Sequence, residues 1–182
     1  MNRVLETERL WLRPLELADA EAGQRLFPQW EVVRLLNAKV PWPFPADGVA
    51  YYYREDVLPA MERGDEWHWT LRLKSAPEEL IGAIGLFRSG ENNRGFWLAP
   101  QWSGQGLMTE VVIAVNDFWF EELGMERLRA PKAVENVGSR RISEKTGMRV
   151  VEVKESEFVS GRLATEVWEI TAEEWQAWKQ RR

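Results

Sequence analysis

The chain contains no cysteine. That absence excludes disulfides, a thiolate metal centre and a cysteine nucleophile. Histidine is nearly missing too: His68 stands alone, which argues against a histidine-rich metal site, and no metal is expected. No apolar run reaches the roughly twenty residues that cross a bilayer, and the first residues do not read as a signal peptide. A basic excess is also absent. The net charge of −5 speaks against a nucleic-acid partner and mildly favours cationic ones, such as amines or basic peptides. A soluble cytoplasmic protein, with no membrane partner, fits these absences best.

What is present is an ordinary globular composition. Of 182 residues, 45% are apolar and 29% charged, enough for one domain with a real core over residues 1–182. Eleven tryptophans stand out, and Trp30, Trp42, Trp67, Trp69 and Trp97 are candidates for lining an apolar pocket. Residues 7–14 alternate as a strand, with Leu10 and Leu12 on one face. A helix is expected from Asp19 to Phe27, and another from a cap at Asp47 to Arg63. Between them, Val40-Pro41-Trp42-Pro43-Phe44-Pro45 must be a loop.

Strands follow at 67–74, 79–88 and 93–98 as an antiparallel meander. In the first, Trp67, Trp69, Leu71 and Leu73 share one face, opposite a polar face of His68, Thr70 and Arg72. A helix over 106–123, a strand at 127–133, a helix at 137–146 and strands at 148–158 and 163–171 come next. The last helix starts at Thr171, with Glu174 completing a capping box. The fold class is α+β.

The segment Gly95-Phe96-Trp97-Leu98-Ala99-Pro100-Gln101-Trp102-Ser103-Gly104-Gln105-Gly106-Leu107-Met108-Thr109-Glu110 carries the strongest chemical signal. It reads as a strand, a glycine turn and the first turn of a helix. Helix N-terminal N–H groups lack partners, and the helix dipole adds positive charge there. Such a junction suits a phosphate or pyrophosphate. It is neither a nucleoside-triphosphatase loop nor a dinucleotide fingerprint, because the required lysine and third glycine are missing. The plain alternative is a tight turn with no ligand.

A second segment, Asn136-Val137-Gly138-Ser139-Arg140-Arg141-Ile142-Ser143-Glu144-Lys145-Thr146-Gly147-Met148, opens and closes a short helix. Placed one helix and one strand after Gln101-x-x-Gly104-x-Gly106, it resembles the GCN5-related N-acetyltransferase (GNAT) family. The likeness is greatest to the branch of ribosomal-protein alanine N-acetyltransferases. Thr7-Glu8-Arg9-Leu10-x-Leu12-Arg13-Pro14 looks like that branch's opening strand, and Trp102 through Glu110 is similar to its cofactor loop. The resemblance covers nearly the whole chain in the right order.

It implies a central mixed, mostly antiparallel, twisted sheet of about seven strands flanked by helices, and acetyl-coenzyme A (acetyl-CoA) as co-substrate. Backbone N–H groups of Ser103, Gly104, Gln105, Gly106, Leu107 and Met108 would hold the pyrophosphate. The backbone at Trp97 and Leu98 would pair with the pantetheine arm. Many members carry a basic residue where this chain has Gln105. Ser139 stands where the branch is thought to use a serine, and Asn136 would orient the cofactor or a water; both can equally cap a helix. Homodimerisation is a family possibility for which the sequence marks no interface.

The missing cysteine favours direct attack by an amine in a ternary complex. The family's usual tyrosine acid has no counterpart, since Tyr51, Tyr52 and Tyr53 all lie in the early helix. Candidate bases are Glu66, His68, Glu91 or ordered water. An α-amine, with a pKa of about 7.7–8.0, is far easier to use without a strong base than lysine at about 10.4. A protein or peptide N-terminus is therefore the expected acceptor. The alternatives are a small amine (polyamine, amino acid or aminoglycoside) and a non-catalytic acyl-CoA-binding module. Segments 15–65 and 155–165 are expected to shape the acceptor pocket, with Trp30, Trp42 and Phe44 favouring an apolar part.

Overall fold

Leu10 and Leu12 are completely buried while their neighbours Trp11 and Arg13 stay half-exposed, so the alternation marks a strand with one core face. The computed structural model describes residues 2–182 and places this strand, β2 (Leu10–Pro14), between β1 (Leu5–Glu6) and β3 (Glu66–Leu73). Residues 7–9 leave the strand, because the Thr7 N–H and Oγ1 both bond to Leu10 and tighten a turn there. β4 (Gly82–Phe87) and β5 (Arg94–Leu98) complete a five-stranded sheet in chain order, antiparallel throughout.

Trp67, Trp69, Leu71, Ile84 and Leu86 pack on one face of this sheet against α5 (Leu107–Asp117). The alternation in β3 is as the sequence reads, but its polar face is not solvated. His68, Thr70 and Arg72 are buried as well. That second face is covered by α1 (Ala20–Leu26), α2 (Trp30–Val33) and a long irregular helix. The helix begins as α3 (Gly48–Tyr52), loosens into a π turn at Tyr53–Val57 and ends as α4 (Leu58–Arg63). Arg72 reaches Asp19 at 2.7 Å, a charged pair that makes burial of this arginine tolerable. Asp47 does not cap α3 with its side chain; Gln24 Oε1 accepts the Val49 N–H at 3.0 Å instead.

A second sheet holds β6 (Arg127–Ala133), β8 (Gly161–Thr171) and β7 (Arg149–Phe158), with β8 central and both pairings antiparallel. The expected α+β fold, a mostly antiparallel sheet of about seven strands flanked by helices, is present, and among the described residues its eight strands divide into two antiparallel sheets. The reason lies at Asn93. Its N–H donates to the Arg129 carbonyl at 2.7 Å, but its side-chain oxygen, not its backbone, accepts the Arg129 N–H at 2.9 Å. The amide stands in for the next strand residue, and pairing goes no further.

α5 runs from β5 into a π turn (Phe118–Glu122) and on to β6, burying Val111, Val112, Val115, Phe118 and Trp119. α6 (Val137–Lys145) follows β6, and α7 (Ala172–Gln180) closes the fold with the expected capping box and a fully buried Trp175. No helix among the described residues is long and apolar enough to cross a membrane.

The opening motif also acquires a purpose. Glu110, in the first turn of α5, accepts from Thr7 Oγ1 at 2.8 Å, from the Arg9 N–H at 3.2 Å and from Arg9 Nε at 2.5 Å. Partial burial pushes its pKa up, yet the bonds from Arg9 and Thr7 outweigh that and hold it below the usual range. A lowered folded pKa contributes stability above the unfolded value of about 4.3 and loses it as pH falls through the folded one. Glu110→Gln should therefore cost about 1 kcal/mol at pH 7, with the deficit shrinking below about pH 4; thermal unfolding across pH 3–8 measures it.

Candidate active site

The parting of the sheets leaves β5 with one edge bonded to β4 and the other unpaired beyond Asn93. Backbone N–H and C=O groups on such an edge need partners, and an extended ligand with amides can supply them. β5 also sits unusually close to β4 at its end. Leu98 pairs with Gly82 and Trp97 with Ala83, and the Trp97 carbonyl oxygen occupies the place a side chain at Gly82 would need. Only glycine permits that approach.

After a 3₁₀ turn at Pro100–Trp102, Gly104 and Gly106 adopt left-handed φ values of 76° and 79°. α5 then starts with no side-chain cap. The Ser103 N–H, expected to be free, is taken by the Pro100 carbonyl at 3.1 Å, and a hydrogen-bonded turn spans residues 103–104. Among the described residues the N–H groups of Gly104, Gly106, Leu107 and Met108 have no acceptor and cluster at a helix N-terminus. Arg9 Nη2 donates to the Gln105 carbonyl at 3.0 Å and pins the loop from behind. The Gln105 side chain turns back to the Gln101 carbonyl at 3.3 Å.

α6 faces this loop across the gap. Asn136 caps it, its Oδ1 accepting the Ser139 N–H at 3.2 Å. The helix-capping role is therefore real for Asn136, while the Ser139 Oγ has no partner among the described residues. Beneath α6 lies Lys132, whose Nζ donates to Ser143 Oγ at 2.5 Å and to the Ser139 carbonyl at 3.3 Å. Burial, reinforced by the charge of Arg94, holds the Lys132 pKa well below the lysine range.

A cleft of about 390 Å³ connects these parts. Trp97, Leu98, Ser103, Gly104 and Gly106 line it from one side, together with Leu107 and Met108. Asn136 and Ser139 line it from the other. Of the residues singled out in the sequence for cofactor binding, Gln105 alone does not face it. The expected bases fare differently: Glu66, His68 and Glu91 are all absent from the lining. His68 Nε2 bonds Glu66 at 2.6 Å, and its ring covers Gly85 beside Phe87. Glu91 pairs with Arg129 at 2.5 Å, and that hydrogen bond keeps its carboxyl below the usual range.

Of the five tryptophans proposed as pocket walls, Trp97 alone lines the cleft. Trp67 and Trp69 are core, and Trp30 and Trp42 form a half-exposed pair with ring centres 5.5 Å apart. None of the three tyrosines reaches the cleft.

The α1–α2 segment roofs the gap. Phe27 packs on Trp97 at 5.4 Å, and Arg34 bridges to Glu135 at 3.0 Å, just before Asn136. Residues 34–38 also bond to the β7–β8 hairpin: the Val159 N–H donates to the Leu36 carbonyl and the Ser160 N–H to the Arg34 carbonyl, each at 3.0 Å. The two segments expected to shape an acceptor pocket thus meet. Three charged residues that sequence reasoning missed also line the cleft: Glu31, Arg141 and Lys145. For the basic pair a signal existed, because Gly138, Arg141, Ile142 and Lys145 recur at the spacing of one helix face. For Glu31 there was none.

Because the Trp97 carbonyl fills the space above Gly82, Gly82→Ala must push β5 away from β4. Overpacking of this kind typically costs about 1–3 kcal/mol, and a domain of this size loses about 2–4 °C per kcal/mol. Thermal unfolding of Gly82→Ala should show a fall of several degrees, whereas an unchanged Tm would mean that the strands are not in this close contact.

Comparison with known proteins agrees with this architecture. Residues 9–149 match the Acetyltransferase (GNAT) domain family. The Bacillus subtilis protein named "Probable N-acetyltransferase YjcK" is 28% identical over 156 residues, covering 79% of this chain and 82% of its own. Mycobacterium smegmatis RimJ in complex with CoA-disulfide superposes with a TM-score of 0.80 at 18% identity, over 94% of this chain and 88% of its own. Spermidine N-acetyltransferase from Vibrio cholerae, solved with CoA and spermine, gives 0.76 at 19% identity, over 92% and 98%. With a family match over most of its length, laid on a glycine loop, a free strand edge and a capped Ser139 helix around one cleft, the chain belongs to the GNAT family of acetyl-CoA-dependent N-acetyltransferases.

Proposed function

We propose that this acetyltransferase acts on a primary amine, with the α-amine of a protein or peptide N-terminus as its acceptor, by direct attack within a ternary complex. The observation that carries this reading is the single cleft that runs from the free N–H groups of the α5 loop, along the β5 edge, to Ser139 under the α2 roof.

The residues present fit the co-substrate. The N–H groups of Gly104, Gly106, Leu107 and Met108 and the α5 dipole suit its pyrophosphate, and Arg141 with Lys145 suits its remaining phosphate. Trp97 and Leu98 offer backbone groups to the pantetheine amides. A fixed strand donor near the thioester stabilises the oxyanion, which is worth about 3–4 kcal/mol per donor in comparable sites. The amine nitrogen bonds to the carbonyl carbon, the C–S bond breaks, the amine proton leaves to water, and the thiolate takes the Ser139 Oγ proton as solvent water returns one to that oxygen. Asn136 holds Ser139 in place through the cap.

Among the described residues no histidine or tyrosine lines the cleft to strip a proton from a lysine-like ammonium. An α-amine, partly neutral near pH 7, needs no such help. The exposed pair of Trp30, at the start of α2, and Trp42 suits an acceptor with an apolar side chain near its amine.

Saturating acetyl-CoA at about 100 times its Kd should add roughly 2.7 kcal/mol, or about 5–10 °C in Tm, well beyond adenosine diphosphate. In an acceptor screen, peptides with a free N-terminus should be acetylated and their blocked twins with internal lysine should not. Ser139→Ala should lower kcat by about 10²-fold or more with acetyl-CoA affinity unchanged. Full activity in that variant would remove Ser139 from the chemistry, and transfer to small amines but not peptides would overturn the N-terminal assignment.

A further inference from the structure

Arg141, Lys145 and Glu31 are the charged side chains among the described residues that line the cleft, the first two on α6 and the third on α2. Arg141 and Lys145 stand in the second and third turns of α6, away from Ser139. Glu31 belongs to α2, whose end is tied by Arg34 to Glu135 at the very start of α6. The cleft is therefore polarised along its length, cationic down α6 and anionic at the end roofed by α2. Glu31 itself has no ion-pair partner among the described residues. Arg34, three positions on, is committed to Glu135.

An anionic group in a cleft that admits a polyphosphate opposes binding unless it serves the other substrate. The other substrate of an amine transferase arrives mostly as an ammonium, whose natural counter-charge is a carboxylate. Val32, Leu35, Leu36 and Phe96 add apolar lining to the cleft, and Glu31 itself is exposed and open to an incoming ammonium. We infer that Glu31 is the acceptor-positioning residue: its carboxylate holds the acceptor ammonium at the α2 end of the cleft, beside the β5 edge. The inference rests on the reading of this cleft as the site of amine acetylation. Glu31 orients the ammonium and sorts the two substrates to opposite ends. Phosphates go to Arg141 and Lys145, and the amine goes to Glu31.

The test is steady-state acetylation by CoA thiol release, with two probes: an alanyl tetrapeptide amide with a free N-terminus, and spermidine. On whichever probe the wild-type enzyme acetylates, Glu31→Gln should raise the acceptor KM about tenfold or more while kcat changes less than about threefold. Acetyl-CoA affinity and Tm should be unchanged. Glu31→Asp should recover most of the loss, and Glu31→Lys should exceed that of Glu31→Gln. An unaltered acceptor KM in Glu31→Gln overturns the inference and leaves the transferase reading intact. Equal losses of acetyl-CoA affinity and Tm also overturn it, because they mark a structural role. Acetylation of spermidine alone removes the peptide assignment but still judges Glu31. If the wild-type enzyme binds acetyl-CoA yet modifies neither probe, the amine-transferase reading falls and Glu31 with it.

Discussion

Asn93 is the point on which the rest of the molecule depends, because it ends the pairing between two sheets that would otherwise be one. Its backbone N–H makes the last strand-like bond to Arg129, and its side-chain oxygen takes the place of the next carbonyl. From there β5 and β6 separate, and the free edge of β5 becomes a wall of the cleft. Unpaired strand edges are usually a hazard that proteins blunt or cover. Here the edge is roofed by α2 and faced by α6, so it is open to an extended ligand but shielded from another sheet.

The glycine loop needs support from behind, since a run of free N–H groups around two left-handed glycines has little to hold it. Arg9 supplies that support from the far end of the sheet, bonding both Glu110 and the Gln105 carbonyl. α6 is held in the same manner by Lys132, which reaches it from β6. Both halves of the site are thus fixed by long basic side chains, Arg9 from the turn before β2 and Lys132 from β6. The N–H groups of Gly104, Gly106, Leu107 and Met108 are left free of partners among the described residues, which is the condition for fixed donors to act on a ligand.

Most of the architecture was legible along the chain. The Leu10–Leu12 alternation, the tryptophan–leucine face of β3, the Thr171–Glu174 capping box and the glycine junction before α5 each follow from local periodicity or local bonding. The contiguous part of the candidate site was legible for the same reason, since residues 97–108 and 136–139 lie in two short segments with recognisable spacing. The misreadings share one cause. His68 and Arg72 alternate as a solvated face should, but helices drawn from residues 20–63 bury that face. Trp30 and Trp42 read as pocket walls, yet they find each other on the surface.

The sequence by itself determined most of the elements (though not β1 or α2), the glycine turn and the serine-bearing helix, because those depend on bonds between residues close in the chain. The tertiary structure alone decided that the sheet divides at Asn93, that His68, Glu66 and Glu91 stay outside the cleft, and that Glu31 enters it. Sheet splitting and cleft lining are set by contacts between residues far apart in sequence, such as Asn93 with Arg129 and Arg34 with Glu135. No local period encodes which carboxylate such contacts will carry into the cleft.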